Sequence, residues 1–548
     1  MKNTYLDIME RALSAYSPSQ IADYIEQVRR DGLTEHGFPR LGANIGILMT
    51  HGRRLDLKDT FVQIIELCLY WIPKATEKYA WFGNNFSIRE LCCCFAELEK
   101  TDLFPAGQLE NWKDQLRQID PWIRYDDVAT EPTQRMSNWC AFGMVSEFVR
   151  AKYLGVDSDR FLDVQIACQL LDFDENSMYM EHNSPMCYEN AGRAMFAALL
   201  AFGYDGRHKA AIAGHLDRSA MIAMQMQSVT GEMPFGGRSN QFLHDEAMMA
   251  ALFEMEARRF AQKGDRETAG QLRSAAQLAA ENMLRYLSAE PISHIKNRFP
   301  RERAFGCEGY AYFNKYMITA ASNIYLAYLF CDETVEPAVA PTIQGGYALR
   351  TGDFYHKTFL NAGGYFLEFE TEADNHYDAN GLGRIHKAGM PGPLCLSVPF
   401  PGGEVCPYRR KDEPNFARVS LCSFVGDSIS AEKPYEFLSC EADENRAAAA
   451  FRTHNGIVES WSVTAAGVSC RLTGEGEKGF MLPVFDFDGE THTAIEVAED
   501  SLTVTYGENR CIYRFSGKLD PEYRTCGNRN GIYRIYKLYA DELEVEIL

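Results

Sequence analysis

The chain has 548 residues, too many for one ordinary core, so two domains are expected, or three. Its composition, 46% hydrophobic and 24% charged, is that of a globular protein and excludes extended disorder. A formal net charge of −21 argues against a nucleic-acid surface, yet leaves room for a local pocket that takes a small anion.

The first ten residues, Met1 to Glu10, lack the apolar core of a signal peptide, and acids interrupt them early. No later stretch reaches the ~18 uncharged apolar residues that a membrane span needs. The 16 cysteines are scattered, three of them consecutive at Cys92, Cys93 and Cys94, and no CxxC pair occurs. Without an export signal this reads as reduced, buried thiols in a cytoplasmic protein. A glycan substrate would then have been cut down and imported first.

From Met1 to about Phe330 the apolar period is helical. Residues 61–72 are apolar nearly all round, as in a buried helix, and similar runs recur at 88–98, 138–154, 161–171, 191–202, 247–261, 269–287 and 310–330. One apolar helical stretch is expected from Ala191 to Met226. No fixed-period repeat marks a solenoid. Paired helices with unequal loops suggest an (α/α) toroid or barrel over residues 1–331. Residues 332–346, rich in Pro, Gly and acids, read as a linker. Beyond it the period changes to two, as in Tyr365-Phe366-Leu367-Glu368-Phe369-Glu370, and short strands at turn spacing predict an antiparallel β-sandwich over 347–548.

Two polar clusters frame the residues 191–226. The first is Glu181-His182-Asn183-Ser184-Pro185-Met186-Cys187-Tyr188-Glu189-Asn190; the second runs from Gly231 to Glu246 and includes Glu232, Arg238, Asn240, Gln241, His244 and Asp245. Loops that carry such groups between packed helices are where a helical scaffold places chemistry. Removing the proton beside a uronate carboxylate requires that the carboxylate be neutralised, and amide, His or Arg donors do this. Asn183, His182 and Arg238 suit that role, Arg238 by a two-pronged hydrogen bond. Tyr188 and His244 suit proton transfer. The plainer reading of the first cluster is an Asn-Ser-Pro turn capping a helix; that of the second is a Gly-rich turn whose Asp245 and Glu246 complement a helix dipole.

A third stretch, 374–387, reads as a long polar loop that can reach over the helical cleft, with His376 and Tyr377 on the sugar and Arg384 on its carboxylate. No cofactor is expected; a metal on His376, Asp378 and His386 is an option whose spacing matches no tight ligand pattern. Trp81 and Trp139 can offer a stacking platform, although core packing is the commoner fate of such rings. The stretch 303–316, with Glu308, Tyr310, Tyr312 and Tyr316, can line the same cleft, although a Tyr stripe at helical spacing is more often core.

Helical domain, linker and sandwich, with an Asn-Ser-Pro-x-x-Tyr loop and a late His-Tyr-Asp loop, resemble the toroid-plus-sandwich polysaccharide lyases, the heparinase II/III-like and rhamnosyl-glucuronate lyases. The order is also similar in outline to the (α/α)-barrel β-glucuronidase glycoside hydrolases. The resemblance covers the whole chain as architecture and implies Asn183 for the carboxylate and Tyr188 with His182 or His244 for proton transfer. It departs in lacking a strongly basic groove and an export signal, which favours a small, exo-type substrate. Elimination at a glucuronate is therefore expected first. Hydrolysis by two carboxylates drawn from Glu181, Glu189, Glu232, Asp245 and Glu246 comes second, and a non-catalytic glycan-binding protein third. The expected partner is a small uronate glycan, without nucleic acid or membrane; homodimerisation through the sandwich is an option.

Overall fold

A computed structural model describes residues 1–74, 83–306, 308–374, 377–396 and 420–548. Among the described residues, six helices pack side by side into a closed ring: Gly37–Thr50, Asn84–Leu98, Asn138–Leu154, Met186–Ala201, Leu243–Gln262 and Phe313–Phe330, the last returning to the first. They are apolar nearly all round because they are covered on every side. Behind them lie Lys2–Ser14, Lys58–Trp71, Ala106–Arg117, Asp159–Gln169, Lys209–Met226 and Arg266–Leu287. These outer helices bury a single stripe: in Arg266–Leu287 the covered positions include Ala269, Leu272, Ala276, Ala279 and Met283. Inner and outer helices alternate along the chain, which makes an (α/α) toroid.

The alternation also makes the inner helices parallel, and their N-terminal ends touch all the way round. Arg40 donates to Glu90 at 2.9 Å and to Thr319 at 2.6 Å. Phe86 meets Trp139 edge-on at 4.9 Å. The Asn138 amide donates to Glu181, Cys187 lies 3.5 Å from His244, and His244 lies 4.7 Å from the Tyr316 ring. Six helix N-termini therefore open on one mouth, where their dipoles favour negative charge.

The expected stretch 191–226 is two helices, Met186–Ala201 and Lys209–Met226. The chain turns at Gly203, whose φ of 96° lies in the region that glycine adopts freely. An apolar run alone does not show where a hairpin folds back.

Tyr347–Arg350, Lys357–Ala362, Tyr365–Glu370 and Gly381–Lys387 form a four-stranded antiparallel sheet. It packs on an 11-stranded sheet whose longest members, Asn509–Gly527 and Ile532–Ile547, exceed the short strands expected. Leu360, Leu367 and Phe369 join Trp461, Val463 and Leu538 in the core between the sheets. The alternate residues Phe359 and Phe366 pack against Met178, Met186 and Met226 of the toroid. Both faces of the small sheet are thus buried, and its second face closes on the loops of the helical mouth. Residues 381–387, expected within a loop, are one of its strands.

Candidate functional site

The two clusters meet at that mouth. Asn183 and Ser184 take positive φ of 67° and 46°, and the turn delivers Pro185 to the start of Met186–Ala201. The Met186 amide donates to Gly236 at 3.0 Å. A Cβ on Gly237 would lie 2.6 Å from the Pro185 Cα, so only glycine allows the loops to lie this close. Ser239 and Gln241 also have positive φ, 61° and 68°. Such backbone persists only where surrounding contacts enforce it.

Those contacts converge on Arg238 and Ser239. Arg238 donates to Glu181 at 2.8 Å and to the His182 carbonyl at 2.8 Å, and its guanidinium sits 4.8 Å from the centre of the Tyr188 ring. The Tyr188 hydroxyl meets the Ser239 hydroxyl at 2.8 Å, and Ser239 meets the Tyr310 hydroxyl at 2.9 Å. Burial, then the Cys187 sulfur, pushes the Tyr188 phenol above its usual range, while Arg238, Ser239 and Tyr316 oppose the rise. The phenol is therefore held protonated. The Ser239 amide donates to Glu308, which is clasped by Arg529 from the turn between the two longest strands at 2.7 and 3.0 Å.

Below this layer His244 is buried, stacked on Phe242 and edge-on to Tyr316. Burial, with Arg40, His294 and Lys296 adding to it, keeps the imidazole neutral far below the usual histidine range. Its closed position removes it from direct contact with a sugar, contrary to the expectation for a proton-transfer group. His182 and Asn183 lie exposed on the rim.

Glu232 and Arg384 are corrected as well. Gly381–Lys387 directs Arg384 and His386 into the interface with the toroid, where Arg384 donates to Glu368 at 3.0 Å and to the Met233 carbonyl at 2.8 Å. It is completely buried, so it cannot reach a substrate carboxylate. Glu232, also fully buried, lies 3.6 Å from Arg384 and 4.0 Å from Lys296. Burial alone would raise its carboxyl, but these cations outweigh it and hold it down to about 2. His386 is itself held neutral down to about 3 by burial, so the lysine and arginine carry the effect. A carboxylate that stays ionised in a sealed ion cluster is a structural anchor and not a general acid.

The metal option does not assemble from its described members. Asp378 accepts from the Gly237 amide at 2.6 Å, whereas His386 faces the Ser228 hydroxyl at 2.6 Å. His376 lies outside the described residues, as does Trp81. Asn240 is buried with its carbonyl toward Arg529, and the Gln241 carbonyl accepts from the Lys296 amide at 3.2 Å; both shape the loop and do not face substrate. Tyr377 is half-buried, and Trp139 stands in the ring of N-terminal ends against Phe86.

Several residues of the mouth escaped the sequence reading. Ser239 has no signal of its own beyond the Gly-Gly-Arg turn. Glu308 stood in the stretch expected to line the cleft, but its partner Arg529 is more than 200 residues away and nothing local pairs them. Lys315 was hidden inside an apolar helix start; it lies 5.7 Å from the rings of Tyr312 and Tyr316, and its charge and that of Glu35 favour one another. Glu35, which caps the first inner helix at Gly37, is raised by burial to about 7.

No family model and no curated protein matches this chain. Among solved structures it is similar to heparinase III, with 11% identity over 100% of this chain and 84% of that one, at a TM-score of 0.49. A polysaccharide lyase aligns with 60% of this chain and 98% of its own at 12% identity and a TM-score of 0.36. The endoglucanase CelQ from Clostridium thermocellum aligns with 93% of this chain and 82% of its own at 10% identity and a TM-score of 0.30.

Proposed function

We propose that the protein is a carbohydrate-active enzyme that cleaves a small uronate-containing oligosaccharide by β-elimination, acting from a chain end. The observation that carries this reading is the Tyr188 hydroxyl, placed in a Tyr188–Ser239–Tyr310 chain at the mouth with Arg238 against its ring. Elimination needs the carboxylate neutralised, a base for the adjacent proton and an acid for the leaving oxygen. Lys315, Asn183 and the inner-helix N-termini supply the first. Tyr188, held protonated, serves the leaving oxygen, and His182, whose backbone Arg238 anchors beside Tyr188, takes the proton. The sandwich walls the mouth along Gly237 and Ser239 through Asp378 and Arg529, which favours a short substrate entering by its end.

Hydrolysis by the carboxylates expected from the sequence is disfavoured because each is buried and already held. Glu181 is bound to Arg238, Glu189 to Arg193, Glu246 to Lys296, and Asp245 accepts from the Phe242 amide. A glycosidase needs two carboxyl groups open to the scissile bond. Glu35, raised to about 7, has the acidity a hydrolytic acid would use, but it too is buried and accepts from the Gly37 amide.

The two reactions separate by product. On glucuronate-capped oligosaccharides, elimination gives an unsaturated uronate that absorbs in the near ultraviolet. Tyr188→Phe should then reduce turnover by roughly 100-fold or more. Saturated glucuronate without the chromophore, lost on Glu35→Gln, would replace elimination with hydrolysis.

A further inference from the structure

Beneath the tyrosine layer, three unlike side chains point their lone pairs at one another. Cys187 comes from the first turn of Met186–Ala201, and His244 and Asp245 from the first turn of Leu243–Gln262. The Cys187 sulfur lies 3.5 Å from His244 Nε2, and Nε2 lies 3.2 Å from Asp245 Oδ1. All three ligand atoms fall within 4.8 Å of one another. A tetrahedral zinc with ordinary bond lengths would set the sulfur–nitrogen edge at about 3.6 Å and the nitrogen–oxygen edge at about 3.3 Å. Both separations already match.

The Cys187 thiol has one proton to share between His244 and Asp245, so hydrogen bonding leaves the arrangement partly unmatched. Asp245 is 1% exposed, and its Oδ1, aimed into the group, has no hydrogen-bond partner. Its Oδ2 accepts from the Phe242 amide, which fixes the carboxylate plane as an outer-shell contact would. His244 Nδ1 has no partner either, so the ring meets polar atoms through Nε2 alone, at the Cys187 sulfur and at Asp245 Oδ1. Leaving such groups buried and unmatched disfavours the folded state. The nearby cations do not block a second positive charge: Arg40 is paired with Glu90, and Lys296 with Glu246.

We propose that Cys187, His244 and Asp245 form a site for a divalent cation of the zinc class, with a fourth coordination position left for water or a ligand. Sulfur, imidazole and carboxylate together suit zinc and its substitute cobalt, and disfavour magnesium or calcium, which take oxygen ligands. The inference stands apart from the reaction proposed above, since it needs only these three side chains.

The test titrates the metal-free full chain with Co2+ and Zn2+. One equivalent of Co2+ is expected to give tetrahedral visible bands and a thiolate charge-transfer band, both displaced by Zn2+. Cys187→Ser should abolish the charge-transfer band, and Asp245→Asn should weaken binding more than tenfold, whereas Cys93→Ser should change neither. If a substituted chain does not fold, the wild-type spectrum with the other variant still decides. A folded chain without the thiolate band, or a band that survives Cys187→Ser, overturns the site. Tyr188→Phe should keep the metal while losing turnover, so failure of the elimination reading and failure of the metal site are read separately.

Discussion

The Arg238 guanidinium stacks 4.8 Å from the Tyr188 ring centre while its Nη2 donates to Glu181, so one side chain ties the second loop to both ends of the first. Glu181 is 3% exposed and would be left buried without its counter-charge in Arg238→Ala. We expect a loss of about 2–4 kcal/mol, the lower part of the usual range for a broken buried pair because Arg238 is itself partly exposed. Arg238→Lys should recover less than half of it, since an ammonium cannot fork between Glu181 and the His182 carbonyl while stacking. Urea denaturation of the three proteins checks both figures; equal stability of wild type and Arg238→Ala would remove the anchoring role.

Asp378 gives a pH signature. Burial raises its carboxyl from 3.8 to about 7, with Lys357 and the Gly237 amide opposing the rise. Below about 4 both folded and unfolded chains hold the proton. Between about 4 and 7 the unfolded chain releases it and the folded chain keeps it, so stability falls as pH rises, by up to about 4 kcal/mol at this site. Asp378→Asn should remove that slope, leaving the variant level with wild type near pH 4 and more stable at pH 8. His386, held neutral down to about 3, and Glu232, held down to about 2, act in the opposite sense but are common to both proteins and cancel in the difference. Equal stability differences at the two pH values would show that Asp378 ionises normally.

The backbone of the second loop makes a steric prediction. Gly237 has φ of 71°, and its Cβ would strike Pro185 at 2.6 Å. Gly237→Ala should cost about 2–3 kcal/mol from backbone strain and the forced separation of the loops. Because Arg238 follows directly, turnover should fall further than stability does. Thermal unfolding beside steady-state turnover measures the two, and an alanine variant with both intact would show that the loops need not touch.

Much of this architecture is written in local pattern. The apolar runs at 138–154 and 269–287 place helices because a helix covered by neighbours must be apolar at fixed spacing, and the observed Asn138–Leu154 and Arg266–Leu287 follow it closely. Tyr188 and Arg238 stood out because Pro, Gly and Asn around them could not continue a helix. Arg384 and His386 misled because polar residues in a row resemble a loop. They are instead a strand buried on both faces, with the charge answered by Glu368 and the imidazole by Ser228. Such pairings lie between residues far apart in the chain, where no spacing rule reaches. The same holds for Lys296 with Glu246.

The longest of these links runs from the sandwich to Ser239. Arg529, at the turn between Asn509–Gly527 and Ile532–Ile547, is fully buried and clasps Glu308 through two nitrogens, and Glu308 accepts from the Ser239 amide. Arg529→Met strands a buried carboxylate and should cost about 3–5 kcal/mol. Glu308→Gln alone should cost less, because the amide oxygen still accepts from Ser239. The double variant should be more stable than the sum of the singles implies, by about 1–3 kcal/mol, since neither charge is then left alone. Turnover should fall in all three, through a displaced Ser239 and a Tyr188 hydroxyl that has lost its partner. A urea double-mutant cycle with parallel turnover assays measures the coupling. Strict additivity, with activity untouched, would mean that the sandwich holds the mouth by shape alone and not through this ion pair.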